Sequence, residues 1–589
     1  MNSRKRRILQ LWFALLLILS VMSFGMVRFV ATNSPNYLQA VISTGGSGGP
    51  GRGLTNGPPA AATSAPAMLS LRSAMGSGGN YASGPQDAKA PPLPPLRKYA
   101  EAQAQATVVP PGDLPVTEIP TPGEPLATTV VPVIAANPFV DTGQDRLSTF
   151  ALDVDTGSYT AARNYITGGV LPPTSNVRPE EFINYFRYDY PVPESSAFGI
   201  YVDSAPSPYG TASTQYVRVG IQGQRVSDVQ RQDAVLTFVI DISGSMSEQN
   251  RLPLVKQALR LLVNELRPSD QVGIVVYGEE ARTVLDHTGV ADKDAILNAI
   301  DSLQNEGSTN AEAGLRLGYE LASQHLKAGA INRVILCSDG VANVGAITPD
   351  GIRQSIRDFT KQGILLTTVG FGMGDYNDYL MEQLADDGDG SYAYVDTLAS
   401  ARRIFVENLT GTLQLIAKDA KVQVDFNPAV VSRYRLVGYE NRDVADNDFR
   451  NDAVDAGEIG AGHTVTALYE VELVQAQFDP SDEAVRNALT VQMRYADPKT
   501  GAVTELTQPF ERTAFGQSFA ASKARFQLAV AAAGFAEQLR GSEFASSQSP
   551  DDVLRIAQRI APQLSRDADV QEFLQLVTQA GELQKKYKP

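Results

Sequence analysis

The stretch that decides the fold is "AVLTFVIDISGSMS", residues 234–247. From Ala234 to Ile240 the residues are apolar or β-branched, Asp241 closes the run, and Ser243, Ser245 and Ser247 follow with Gly244 among them. A run this apolar, without alternation, predicts a strand buried on both faces, as in a parallel sheet covered by helices. The acid and the hydroxyls then sit at the carboxyl edge of that sheet, where open α/β folds place their ligands. Further runs of the same kind follow outward: "QVGIVVYG" (271–278), "RVILCSD" (333–339), "ILLTTVG" (364–370) and "SYAYVD" (391–396). Amphipathic segments separate them. In "LPLVKQALRLLVNELR" (252–267), Val255, Leu259, Leu262, Val263 and Leu266 share one helical face, and Pro268 ends the pattern. The alternation predicts a doubly wound, mostly parallel α/β domain over 233–407.

Asp339 ends a second apolar strand, and "NEGSTNAEAGL" (305–315) is a polar loop opening a helix, with Ser308 and Thr309 in it. Two carboxylates and several hydroxyls can therefore meet at one sheet edge. All are hard oxygen donors, a set that suits Mg²⁺, Mn²⁺ or Ca²⁺ better than zinc. The plainer reading is helix capping, since Asp and Ser satisfy free amides at helix starts. Capping does not require Thr309 and Asp339 as well.

The motif "DISGS" (241–245) resembles the D-x-S-x-S signature of the von Willebrand factor type A domain, and Thr309 and Asp339 fit that family's later threonine and aspartate. The resemblance implies a Rossmann-like fold and a metal-ion-dependent adhesion site. Ser243, Ser245 and Thr309 would ligate directly, and Asp241 and Asp339 largely through water. The cation would be Mg²⁺ first, Mn²⁺ or Ca²⁺ next, with an open position for a carboxylate from a protein partner. It implies binding, not catalysis. The flanks extend the likeness. "STFALDVDTGSYTAARNYI" (148–166) and "RPEEFINYF" (178–186) resemble the N-terminal segment of bacterial YfbK-like proteins, and "FNPAVVSRYRLVGYENR" (426–442) and "DAGEIGAGHTVTALYEVEL" (455–473) their C-terminal region.

At the N-terminus, "RKRR" (4–7) precedes the uncharged stretch "ILQLWFALLLILSVMSFGMV" (8–27). It is long enough to span a bilayer as a helix, and the basic cluster should stay in the cytoplasm. A cleaved signal peptide is the alternative. The expected organisation is a cytoplasmic tip and transmembrane anchor at 1–31, and a Pro/Gly/Ser/Ala-rich disordered tether at 32–145. A domain at 146–232 associated with the A domain, the A domain at 233–407, and a C-terminal region of strands then helices at 408–589 complete it. As a coil the tether would reach roughly 60 Å. The formal net charge of −15 disfavours nucleic-acid binding. Five of the basic residues and no acidic one lie in 1–31, so the remainder is more acidic still, which suits an extracytoplasmic, cell-surface or periplasmic protein.

Two other functions compete with binding. Metal-assisted phosphoryl transfer lacks a second acid two residues after Asp241, where Ser243 stands, and no His or Lys adjoins it. A cell-envelope scaffold would use its metal for stability alone. "GGSGG" (45–49) matches a nucleophile pattern without a strand before it, and "VGFGMGDYN" (369–377) reads as a strand-to-helix turn. Cys337, the lone cysteine, reads as a core residue, and His325 as a surface one. Strands before and after 233–407 are expected to share one β-rich domain, with the A domain inserted between them.

Overall fold

The computed structural model describes residues 135–587 apart from short internal segments, the longest at 341–348 and 373–377. The expected anchor and all but the end of the expected tether lie outside the described residues, as does most of "VGFGMGDYN". Among the described residues no helix is long and apolar enough to cross a membrane.

The apolar runs form one six-stranded sheet. Its members are β5 (Ala234–Asp241), β6 (Gln271–Tyr277), β7 (Ala281–Gly289), β8 (Ile331–Ser338), β9 (Ile364–Phe371) and β10 (Tyr392–Val395), in the order β10-β9-β8-β5-β6-β7. Every pairing is parallel except β6 with β7. On one face Leu236, Phe238 and Ile240 pack against Val255, Leu259, Leu262 and Val263 of the Leu252–Glu265 helix. On the other, Val239 and Val275 pack against Leu315 and Tyr319 of the Ala311–Gln324 helix. The helix after β5 ends at Glu265, with Leu266 extended and Pro268 beyond it. β7 departs from the pattern of apolar runs. Its sequence, "ARTVLDHTG", lies half-buried to exposed along the sheet edge, so it carries no apolar run.

The remaining strands form a second body. β1 (Val140–Asp141), β3 (Phe198–Pro206), β4 (Thr214–Gly223), β12 (Val431–Leu436) and β14 (Thr464–Leu473) make a sheet ordered β1-β12-β14-β4-β3. β13 (Gly457–Gly460), β11 (Leu415–Phe426), β15 (Asn487–Ala496) and β16 (Val503–Glu511) make another, with β2 (Leu147–Ala151) also on β11. β4 pairs antiparallel with β14 from Thr214↔Glu472 to Gln222↔Thr464. Segments 146–232 and 408–589 are thus interleaved in one β-rich body rather than set side by side, and Val140 and Asp141, inside the stretch read as tether, belong to it. Valines and aromatics from both sheets share one core, Val219, Val424, Tyr469 and Phe426 among them. The Gly157–Thr167, Pro179–Asn184, Ala524–Arg540, Pro550–Ile560 and Ala568–Tyr587 helices share a further core with Tyr216 and Leu468 of β4 and β14.

Candidate functional site

β5 delivers Asp241 to the carboxyl edge of the six-stranded sheet, fully buried. Its Oδ1 accepts the Ser243 backbone N–H at 2.9 Å. Its Oδ2 accepts the Tyr277 hydroxyl at 3.2 Å and the Ser338 hydroxyl at 3.1 Å. Tyr277 stands opposite Asp241 in the β5–β6 register, and Ser338 ends β8, so the neighbouring strands fix the carboxylate's orientation. Burial raises the Asp241 pKa, the Ser243 hydrogen bonds pull against it, and the charge of Asp339 adds to the rise. Burial, then the Asp241 charge, holds the Tyr277 hydroxyl protonated far above its ordinary range.

Past β5 the chain turns, and the Ser243 and Ser245 hydroxyls lie 3.0 Å apart. The turn is held by the loop before the Ala311–Gln324 helix. Gly244 N–H donates to Gly307 C=O at 3.1 Å, Glu306 N–H to Ile242 C=O at 2.7 Å, and Asn305 Nδ2 to Ser243 C=O at 3.1 Å. Gly307 has φ +57°, a left-handed bend that favours glycine. Thr309 follows in this loop, half-buried, and Asn310 caps the helix through Ala313 N–H. Asp339 follows Ser338 directly and is 4% exposed. The structure therefore brings Asp241, Ser243, Ser245 and Asp339 to one edge, with the Thr309 loop bonded against the serine turn.

Sequence reasoning missed three residues. Tyr277 and Ser338 hold Asp241, and each is marked in the sequence only as the last residue of an apolar strand. Arg251 is the third: Nη1 donates to Ser245 C=O at 2.7 Å and to Asp339 Oδ2 at 2.9 Å. No spacing in the motif announces it.

The donors that can hold a cation here are two buried carboxylates and three hydroxyls, all oxygen. Two like charges drawn out of water and set near each other are costly, and Arg251 at Asp339 supplies one positive charge against the two, so a further positive charge is favoured. That set fits a hard divalent ion. Among the described residues there is no cluster of three or more His, Cys, Asp or Glu side chains suited to a metal. Cys337 is buried, which pushes its thiol pKa up. His325 is not a plain surface residue: it is half-buried, stacks on His287 with ring centres 4.6 Å apart, and lies 2.9 Å from Asp286 Oδ1.

Comparison with known proteins agrees with this architecture. The family described as von Willebrand factor type A domain matches residues 236–408, that described as von Willebrand factor matches 130–218, and that described as the C-terminal part of uncharacterized protein YfbK matches 411–583. Uncharacterized protein YfbK of Escherichia coli K12 is 36% identical over 445 residues, 72% of this chain and 76% of that protein. The chain belongs to the YfbK family of von Willebrand factor type A proteins. A second relative of that kind, the uncharacterized protein sll0103 of Synechocystis, is 26% identical over 51% of this chain and 70% of its own length. Human inter-alpha-trypsin inhibitor heavy chain H3 is 28% identical over 31% of this chain and 20% of its own. A solved von Willebrand factor type A structure from Catenulispora acidiphila aligns with 64% of this chain and 89% of its own at 16% identity and a TM-score of 0.39. As a member of this domain family, the chain carries a protein-interaction module.

Proposed function

We propose that this YfbK-family chain is a membrane-tethered, extracytoplasmic interaction protein, without catalytic activity, that holds a protein partner through a divalent cation. The observation that carries the reading is the meeting of Asp241, Ser243, Ser245 and Asp339 at the ends of β5 and β8, with the Thr309 loop bonded to the serine turn. Asp241 and Asp339 supply the negative charge. Ser243, Ser245 and Thr309 offer neutral oxygens, which leave a hard cation such as Mg²⁺, or Mn²⁺ or Ca²⁺, most of its charge. Bound there, the cation supplies an electrophilic position that draws a carboxylate oxygen from the partner. Tyr277 and Ser338 keep Asp241 aimed. The basic cluster and apolar stretch at 4–27 support the tethering, with the bulk of the chain outside.

The test is a pull-down from native membranes with the full-length protein, in Mg²⁺ and in EDTA. The proposal expects a partner retained only with Mg²⁺ and lost when the partner's contacting Asp or Glu is changed to its amide. A partner held equally well in EDTA would make the cation a structural element at most. Protease added to intact cells, or to spheroplasts where an outer membrane is present, should release the folded body by cutting within 32–134.

A further inference from the structure

We infer that Arg251 is a built-in counter-charge at the candidate cation site. It holds Asp339 against the serine turn, and it weakens the site's grip on the cation while keeping the loaded site electropositive toward an anionic partner. The inference rests on the cation reading above.

Three observations carry it. First, the guanidinium joins the two halves of the site. One nitrogen, Nη1, donates both to Ser245 C=O in the D-x-S-x-S turn and to Asp339 Oδ2 beyond β8. Second, the site is shaped to take this side chain. Arg251 immediately precedes the Leu252–Glu265 helix, its side chain is 13% exposed, and its stem runs over Gly372. A Cβ at Gly372 would stand 2.7 Å from Arg251 Cγ, and Gly372 has φ +104°, so a glycine there meets both needs. Third, the charges favour an anionic ligand. Asp241 and Asp339 against Arg251 leave one net negative charge, to which a divalent cation adds two positive ones. The loaded site is then net positive, within a chain whose overall charge is −15. Without Arg251 the loaded site would be neutral, and the pull on a partner's carboxylate would fall. Glu248, with Oε1 3.8 Å from Arg251 Nη2, is 61% exposed, so solvent screens its opposing charge.

The experiment measures Mn²⁺ binding to detergent-solubilised full-length protein through the paramagnetic resonance signal of free Mn²⁺, for wild type and for Arg251→Met, Arg251→Gln, Arg251→Lys and Asp241→Asn. Removing a like charge at close range should tighten Mn²⁺ binding at least about tenfold in Arg251→Met. Arg251→Gln, which keeps a polar stem, should show the same gain and serves if the methionine variant is poorly folded. Arg251→Lys should stay within about threefold of wild type, because the charge remains. If neither neutral variant binds more tightly, or if the lysine variant gains as much as they do, the counter-charge is refuted while the cation site stands. If wild type and every variant fail to bind, or Asp241→Asn binds like wild type, the cation reading falls and this inference with it.

Discussion

Asp241 is a buried acid whose oxygens are met by one backbone amide and two neutral hydroxyls. Its surroundings hold it in place without neutralising it. The serines beyond it differ in that their hydroxyls point to each other, so the loss of one should be felt by a bound cation more than by the fold. Ser243→Ala is expected to weaken Mg²⁺ or Mn²⁺ affinity roughly tenfold while lowering stability by no more than about 1 kcal/mol, as read by calorimetry and by denaturant unfolding in EDTA. A second acid makes a pH prediction. Glu180 is fully buried beside Gly438, and burial, with the charge of Glu440 next, pushes its pKa from 4.5 up to about 7. The folded state therefore holds this proton more tightly than the unfolded one. Its contribution to stability is complete below pH 4.5 and declines as pH rises toward 7. Glu180→Gln should flatten that decline in pH-dependent urea unfolding, and an unchanged slope would remove Glu180 as its source. Of these residues the motif acids and serines were legible, because their chemistry is written at fixed spacing. Glu180 was not: in sequence it is one of two acids opening a short helix, and only the approach of Gly438 and Glu440 makes it unusual.

Among the elements, the six-stranded sheet was legible because burial on both faces leaves an unbroken apolar run. β5 begins and ends where "AVLTFVID" does. β7 and β16 were not, since edge strands solvated along much of their length need no such run. The contacts that lock the α/β domain to its neighbours were equally hidden. Arg163, on the Gly157–Thr167 helix, places Nη2 2.6 Å from both oxygens of Asp396, just past β10, and Nη1 3.2 Å from Glu572 of the last helix. Arg403 joins Asp569 of that helix at 2.8 Å. These partners stand 233, 409 and 166 positions apart, far beyond any local pattern. The Arg163 and Asp396 side chains are 8% and 2% exposed, so removing Arg163 strands the Asp396 charge, whereas Arg163 keeps Glu572 if Asp396 is lost. Arg163→Met should cost about 3–5 kcal/mol, Asp396→Leu less, and the double variant Arg163→Met/Asp396→Leu distinctly less than the sum of its single changes. Additive losses in a double-mutant cycle would show that the pair does not act as a unit.

For the whole molecule, the α/β domain is an insertion whose ends lie together. Gln224, before it, accepts a hydrogen bond from Gly462 N–H at 2.9 Å, and Gln414, after it, accepts one from Ala461 N–H at 2.8 Å. Both ends thus reach adjacent residues of one turn between β13 and β14. The host depends on strands from either side of the insertion, since β14 is paired with β4 from Thr464 to Glu472 and β11 with β2 from Lys421 to Asp425. Fragment 408–589 should therefore lack a cooperative thermal transition. The described body with 233–407 replaced by a short Gly/Ser linker should keep one. A well-dispersed NMR spectrum from 408–589 alone would contradict the interleaving.

The central claim is that the edge of the sheet holds a divalent cation, and calorimetric titration of Mg²⁺ into the solubilised full-length protein tests it most directly. The account predicts one saturable site in wild type and none in Asp241→Asn, a change that keeps the side chain's shape and removes its charge. Equal heats and equal stoichiometry in the two proteins, or no binding in wild type, would contradict it.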